Sequence, residues 1–287
     1  MNPVAEVRAF VRAALVDPVP RDHQESDEAF RRRRWVVGIT LVVGAAVLGW
    51  ALRIEPGDRL FYVATIALAG VWALGAVLSG PLHLGRTVHG QNLRRPVVAP
   101  VLTGMAAFSA FYAAALVARE IPVLDRALRS VLRYAKDGSG PLVALTTLAN
   151  GAAEEVFFRG ALYAAVGAKD PVVRSTAGYL LATTPTRNPA LILASLPMGA
   201  LFALQRRASG GIQAPIITHL TWSALMLRYL PPLFRDAPAS GASVALGKPE
   251  RRRSGWLRKL NGSVASSRRC QASGVEEGLV RWRVRVR

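Results

Sequence analysis

Three ionisable side chains lie within an otherwise apolar part of the sequence. Between residues 138 and 167, tyrosine aside, the only ionisable groups are Glu154, Glu155 and Arg159. A charge at the centre of a transmembrane helix costs about 2.5 to 3.5 kcal/mol, so such residues are retained where they have partners or take part in function. Glu155 and Arg159 are four residues apart with the acid first, the favourable order for an ion pair within one helix. Glu154 lies about 100° further round the helix and is free to point into a cavity.

A histidine and a serine share one face of the last apolar segment, "GGIQAPIITHLTWSALM" (210–226). His219 and Ser223 are four residues apart, which places them on the same side of a helix. A desolvated glutamate and a histidine on two helices that pack together can act as a general acid and base. Asn150, one turn before Glu154, is a polar neighbour on the glutamate's face. The spacing therefore predicts an acid–base site inside the apolar part of the chain.

A purely structural interpretation of these residues stays open. In it, Glu155 and Arg159 form a buried ion pair, Glu154 is protonated, and His219 is a hydrogen-bonded core residue. The presence of both an acid and an imidazole inside apolar segments favours the functional interpretation.

The elements that position these side chains are predicted to be membrane helices. Of the 287 residues, 51% are hydrophobic, and the apolar residues fall in blocks of membrane-spanning length. The blocks lie near residues 35–52, 60–80, 96–118, 141–167, 173–186, 189–205 and 211–230. We therefore expect an all-α, polytopic transmembrane bundle of about 6 to 8 segments. Residues 173–186 are short and polar at one end, and a re-entrant segment is the alternative there.

Composition shifts divide the chain into four regions. We expect a cytoplasmic N-terminal segment (1–33), N-terminal transmembrane helices with an interfacial helix (34–139), a second transmembrane domain (140–232) and a basic, disordered tail (233–287). The interfacial helix is predicted because residues 121–135 carry apolar side chains on one face and arginines elsewhere.

The formal net charge of +19 lies mainly in four consecutive arginines, residues 31–34, and in the tail. Basic residues that flank apolar spans indicate cytoplasmic loops and contact with anionic lipids, so we place the N-terminus in the cytoplasm. Nucleic-acid binding would need a folded basic domain with interleaved aromatic residues, and none is visible. Cys270 is the single cysteine, which excludes an internal disulfide. Abundant arginine, alanine and valine are typical of a GC-rich bacterial genome, and we expect the bacterial plasma membrane.

Two of these segments resemble the signatures of one known family. "EEVFFRG" (154–160) is similar to Glu-Glu-x-x-x-Arg, and "APIITHLTWS" (214–223) to Ala-Pro-Ile-x-x-His-x-x-x-Asn, of the CPBP family. These are CAAX-prenyl-protease-like (Abi) intramembrane peptidases, and the resemblance covers roughly residues 140–230. It implies a helical membrane fold with a polar chamber, in which a glutamate activates water for peptide hydrolysis with the help of two histidines and an asparagine.

Carried over to this chain, the resemblance implies a role for each matching residue. Glu154 would be the base that activates water, and Glu155 with Arg159 would be the supporting pair. His219 would stabilise the oxyanion or bind a metal. The family is named for metalloprotease activity, so a divalent metal such as zinc, held by Glu154 and His219, is the cofactor that it implies.

The chain departs from the family pattern at two positions. The middle signature, Phe-x-x-x-His, is best matched by "YLLAT", with Tyr179 for the phenylalanine and Thr183 for the histidine. Ser223 replaces the asparagine of the last signature. A hydrolytic zinc site normally uses three protein ligands. Glu154 and His219 would supply two, and Asn188 and Thr183 are only weak candidates for the third.

The sequence leaves three functions open. The first is an intramembrane endopeptidase whose partners are membrane lipids and a membrane-associated peptide or protein substrate. The second is a catalytically degenerate scaffold of the same fold that binds peptides without cutting them, which the two departures motivate. A transporter is the third function. It ranks last because transporters usually contain an internal repeat, and the N-terminal half has no charged span to match the one in the C-terminal half.

Overall fold

The computed structural model describes residues 3–15, 25–89, 92–167 and 169–234. Its helices are α1 (Pro3–Leu15), α2 (Asp27–Ala51), α3 (Arg59–Ser79), α4 (Val98–Ala118), α5 (Pro122–Asp137), α6 (Gly140–Glu155), a π-helical segment (Val156–Leu162), α7 (Tyr163–Ala165), α8 (Pro171–Thr183), α9 (Pro189–Ser209) and α10 (Gln213–Tyr229). Short 3-10 turns follow α8 (Thr184–Thr186) and α10 (Pro231–Phe234). The prediction of an all-α membrane bundle is confirmed, with one small hairpin added.

Four helices of the described residues, α2, α3, α4 and α9, are long and apolar enough to cross a membrane. Large aliphatic side chains stay exposed on the outside of the bundle: Val42 is 70% exposed and Leu74 64%. Exposed apolar surface on this scale is typical of a surface that contacts lipid. Helices are suited to lipid because they satisfy their backbone polar groups internally. The chain is an integral membrane protein. Helix α6 continues through the π-helical segment into α7, so residues 140–165 form one uninterrupted helix.

Helix α2 begins well before the predicted span, at Asp27 rather than near residue 35. Ser26 caps it by accepting a hydrogen bond from the Ala29 amide at 3.2 Å, and Asp27 and Glu28 lie favourably in its first turn. The four arginines are therefore helical, and the predicted boundary between residues 33 and 34 falls inside α2. Arg33 is fully buried and pairs with Glu25.

The connection between α3 and α4 carries a hairpin that the sequence analysis did not predict. Strands β1 (Thr87–His89) and β2 (Asn92–Arg94) pair antiparallel, with Thr87 opposite Arg94. Just before it, the Ile212 amide donates to the His83 carbonyl at 2.9 Å, which fixes this loop against the start of α10. A side chain on Gly211 would lie 2.1 Å from the Gly85 nitrogen, so the two backbones can approach this closely only because both residues are glycines.

Aromatic packing joins the N-terminal helices to the π-helical segment. Trp72 of α3 is 1% exposed, and its ring centroid lies 4.8 Å from that of Phe157 and 5.0 Å from that of Phe158. Gly44 of α2 leaves room for this indole, because a Cβ there would lie 2.2 Å from the ring. The first half of the chain thus supports the segment that follows the two glutamates.

Helix α5 contacts the residues that follow α2 and the 3-10 turn that follows α10. Tyr134 donates to the carbonyls of Leu52 at 3.0 Å and Ile54 at 2.7 Å. The Phe234 carbonyl accepts a hydrogen bond from Arg129 at 2.9 Å, and the Phe234 ring is buried. The bundle therefore extends past the predicted boundary at residue 232, and the rest of the predicted tail lies outside the described residues.

A candidate active site in the bundle core

The two glutamates end α6, where the helix widens into the π-helical segment. Short π-helical segments within α-helices often occur at functional sites, because they change the direction of side chains and backbone carbonyls. Arg159 lies within this segment, and its carbonyl accepts a hydrogen bond from the buried Arg206 of α9 at 2.7 Å. Arg159 in turn donates to the Gly199 carbonyl at 3.3 Å. These bonds fix the segment against α9.

Glu155 is the centre of a buried network of polar side chains. Its side chain is fully buried, and its Oε1 accepts from Arg159 at 3.1 Å and contacts His219 Nδ1 at 2.9 Å. The ion pair that the four-residue spacing predicted is present. The direct partner of His219 is therefore Glu155, and not Glu154 as the acid–base prediction implied.

Glu154 has a different environment from its neighbour. Its Oε2 accepts a hydrogen bond from the Tyr179 hydroxyl of α8 at 3.0 Å. Within the described part of the chain, no hydrogen bond to its other oxygen and no ion pair of its carboxylate occurs. The two adjacent acids thus differ in their partners, since Glu155 binds two groups that can be cationic and Glu154 binds a neutral phenol.

A cavity of about 290 Å³ brings together the polar residues that the sequence singled out. It is lined by Asn150, Glu154, Tyr179, Thr183, His219 and Ser223, among apolar side chains of α2, α3 and α9. We call this cavity the chamber. Glu155 and Arg159 are not among its lining residues and lie behind its wall. Glu154 and His219 therefore line the same cavity.

Stacked side chains connect α8 to α10 beside the chamber. The Arg159 guanidinium lies 4.6 Å from the ring centroid of Tyr179 and 4.9 Å from that of Phe202, in cation–π contact with both. Phe202 stacks on His219 at 4.9 Å with an angle of 19° between the rings, and Trp222 contacts the imidazole edge-on at 5.8 Å. The stack restricts the imidazole to one orientation.

The remaining predicted polar residues make mostly structural bonds. Thr183 donates to the Tyr179 carbonyl at 2.9 Å. Asn188 caps α9 by accepting from the Leu191 amide and donates to the Ala127 carbonyl at 2.8 Å, outside the chamber. Asn150 donates to the Thr65 carbonyl at 2.8 Å.

The residues present do not fit a zinc ion. Within the described ranges, no group of three His, Cys, Asp or Glu side chains is placed to hold a metal. Glu155 is already bound by Arg159 and His219, and Asn188 lies outside the chamber. Glu154 and His219 remain as two ligands, one fewer than a hydrolytic zinc site normally has.

Sequence reasoning did not identify three residues of the site. Tyr179 was interpreted only as a replacement for phenylalanine, and Phe202 gave no signal because it is one apolar residue among many. Gly151 was not singled out, although it precedes Glu155 by one turn. A Cβ on Gly151 would lie 3.3 Å from His219 Cδ2 and 3.4 Å from Nε2, so the glycine makes room for the imidazole.

Comparison with known proteins adds one match. Residues 137–225 match a family model described as Rce1-like: Type II CAAX prenyl endopeptidase Rce1-like. The matched residues include both signature segments and the chamber's polar residues from α6, α8 and α10. No curated protein and no solved structure matches the chain.

Proposed function

We propose that this chain, whose residues 137–225 match the Rce1-like family model, is an intramembrane endopeptidase of the CAAX-protease-like (CPBP) type. It hydrolyses a peptide bond of a membrane-associated substrate by glutamate-activated water. The observation that carries the proposal is the chamber itself, in which Glu154 has no cationic partner among the described residues and faces the same space as His219.

Glu154 is the general base in this proposal. Its Oε2 is bound by Tyr179, so Oε1 takes a proton from a water molecule in the chamber. The oxygen of that water bonds to the carbonyl carbon of the peptide, whose oxygen becomes an oxyanion. The proton then passes from Glu154 to the leaving nitrogen, the C–N bond breaks, and a carboxylic acid and an amine leave.

His219 stabilises the oxyanion. Glu155 forms an ion pair with Arg159, so in this mechanism His219 Nδ1 carries a hydrogen and donates it to Glu155 Oε1 at 2.9 Å. This role requires the imidazolium form, in which Nε2 carries a second hydrogen. The Nε2–H can then donate to the negative oxygen of the intermediate. Since the residues do not fit a metal, no step passes through one.

Two further cavities support an apolar substrate. A cavity of about 630 Å³ is lined entirely by apolar residues of α4, α5, α9 and α10 and of the connection at Ile121 and the turn at Leu230, and it reaches the exposed Val117 and Leu193. A third cavity of about 290 Å³ shares Phe111 with the second and Ser223 with the chamber. Ala194 lines all three. In this proposal, a hydrophobic segment of the substrate reaches Glu154 from the lipid through these neighbouring cavities.

The proposal includes the protein's location and its partners. We place it in a bacterial plasma membrane with the N-terminus in the cytoplasm, on the basis of its composition and of the four arginines of α2. Its partners are membrane lipids and a membrane-associated peptide or protein.

Hydrolysis of a quenched-fluorescence library of hydrophobic peptides by the protein in liposomes tests the function. The wild type should cleave a subset of peptides, and Glu154→Gln should cleave about 100- to 10,000-fold more slowly while its peptide affinity stays the same. Equal rates in the two proteins would contradict the proposal. The second candidate, a scaffold that binds without cutting, is favoured by Thr183 and Ser223 at the signature positions. It would be supported if the wild type binds peptides but does not cleave them.

A further inference from the structure

The contact between Tyr179 and Glu154 occurs at the position where the chain departs from the family pattern. The resemblance leads us to expect phenylalanine at residue 179 and a histidine at residue 183. The chain has tyrosine and threonine instead. The one atom by which tyrosine differs from phenylalanine is the hydroxyl oxygen, and this oxygen lies 3.0 Å from Glu154 Oε2.

We propose that Tyr179 replaces the histidine missing at residue 183 as the side chain that positions the Glu154 carboxylate. It is a positioning residue, because it acts on the base and not on the substrate. The inference rests on the proposed function insofar as Glu154 is the base.

Thr183 is not available for this task. Its hydroxyl donates to the Tyr179 carbonyl at 2.9 Å, the bond that threonine commonly makes to its own helix one turn back. A threonine side chain is also shorter than a histidine side chain. The polar contact to Glu154 is therefore made from residue 179, one turn earlier on the same helix.

The surroundings of Tyr179 hold its hydroxyl in place. The Arg159 guanidinium lies over one face of the ring at 4.6 Å, and the Phe158 ring packs edge-on at 4.8 Å with an angle of 71°. Both neighbours belong to the π-helical segment that directly follows the glutamates. The hydroxyl and the carboxylate are thus positioned by one continuous segment of chain.

The bond has a direct consequence for catalysis. By occupying Oε2, Tyr179 selects one orientation of the carboxylate and leaves Oε1 for water. Without the hydroxyl, Glu154 Oε2 loses its partner and the side chain can rotate away from the chamber.

Tyr179→Phe is the direct variant, since it removes one oxygen atom and keeps the ring contacts with Arg159 and Phe158. Because a hydrogen bond to the catalytic carboxylate is lost, kcat should fall roughly 10- to 100-fold. KM should stay unchanged because the substrate does not contact this bond. A fall in kcat/KM that lies entirely in KM would overturn the inference. Tyr112→Phe of α4, a half-buried tyrosine outside the chamber, is the matched control and should leave kcat unchanged.

Infrared spectroscopy tests the contact without any turnover. The carboxyl band that disappears in Glu154→Gln is assigned to Glu154, and Tyr179→Phe should shift this band because its hydrogen bond is lost. Tyr112→Phe should leave it in place. An unshifted band in Tyr179→Phe would overturn the inference even if the protein proves to be a peptidase. A shifted band supports the contact even if no substrate is cleaved.

Restoring the family residues completes the test. The double variant Tyr179→Phe/Thr183→His should recover at least about 10-fold of the kcat lost in Tyr179→Phe, because a histidine one turn later can again contact Glu154. Its thermal unfolding is measured in parallel to establish that it is folded. A folded double variant that stays as slow as Tyr179→Phe would contradict the replacement of the histidine by the tyrosine.

Discussion

Two adjacent carboxylates of the same helix differ in almost every physical respect. Glu155 is fully buried, and its carboxylate accepts hydrogen bonds from Arg159 and His219. Glu154 is half-buried, faces the chamber and accepts one hydrogen bond from the neutral Tyr179. Burial costs an ionised group several kcal/mol unless charged or hydrogen-bonding partners compensate. Of the two glutamates, Glu155 has a charged partner among the described residues and Glu154 has none. The paired carboxylate of Glu155 thus supports the site, whereas a carboxylate without a counter-ion, such as that of Glu154, can exchange a proton.

The largest expected difference between the two acids is in stability. Glu155→Gln leaves the buried Arg159 without its counter-ion, which should lower the free energy of unfolding by about 3 kcal/mol. Glu154→Gln makes the same chemical change one residue earlier and should change it by less than about 1 kcal/mol. Thermal or denaturant unfolding in mixed micelles measures both variants. Equal losses would remove the distinction between the two sites.

A second substitution sharpens this result. In Glu155→Gln/Arg159→Met, no unpaired charge is left, and the glutamine carbonyl can still accept from His219 Nδ1. Replacing a buried ion pair by groups of similar volume is often close to neutral. The double variant should therefore be more stable than Glu155→Gln alone. A further loss of stability would show that Arg159 contributes mainly through its contacts with Tyr179 and Phe202.

Phe202 is the next test, because it lies between the Arg159 guanidinium and the His219 ring. Phe202→Leu keeps an apolar side chain but removes both stacking contacts, so we expect a loss of about 1.5 kcal/mol in stability and a lower kcat. Phe108→Leu of α4 is the control, since this half-buried ring packs on Tyr112 and Tyr229 away from the chamber. The control should leave kcat unchanged, and an equal fall in kcat in both variants would argue against positioning of His219 by the stack.

The smallest expected effect comes from Gly151. Gly151→Ala places a methyl group 3.3 Å from His219 Cδ2, so the imidazole must move by a few tenths of an ångström. We expect roughly a 3- to 10-fold lower kcat with little change in stability, because misplacement of catalytic groups is costly even over short distances. Gly70→Ala of α3, where a Cβ would meet nothing within 4 Å, is the matched control. Its kcat should equal that of the wild type.

Much of the fold could be predicted because membrane helices are set by local composition. Each of the seven apolar blocks contains a helix, and the four-residue spacing of Glu155 and Arg159 predicted their ion pair. The start of α2 was misplaced because the arginines were interpreted as a polar lead-in. The cap at Ser26 with Asp27 and Glu28 was a usable signal for the earlier start. Residues 87–89 and 92–94 form strands too short to produce a visible alternation of polar and apolar residues.

The sequence identified part of the site and none of the contacts between its helices. The sequence identified Glu154, His219, Thr183 and Ser223, and all four line one chamber. It did not predict that His219 would bond to Glu155, because helical spacing fixes directions within one helix and gives no distance between two. The π-helical segment could not be predicted either, since no residue type in it indicates the change in hydrogen-bond register.

A single turnover in H₂¹⁸O tests whether Glu154 activates water directly. Protein in excess over a cleavable peptide should give a product whose new carboxyl group carries one ¹⁸O atom, with no ¹⁸O in the protein. If Glu154 instead attacked the peptide carbonyl as a nucleophile, water could hydrolyse the resulting anhydride at the glutamate. A product without ¹⁸O, together with ¹⁸O in the Glu154 carboxyl group, would contradict the account.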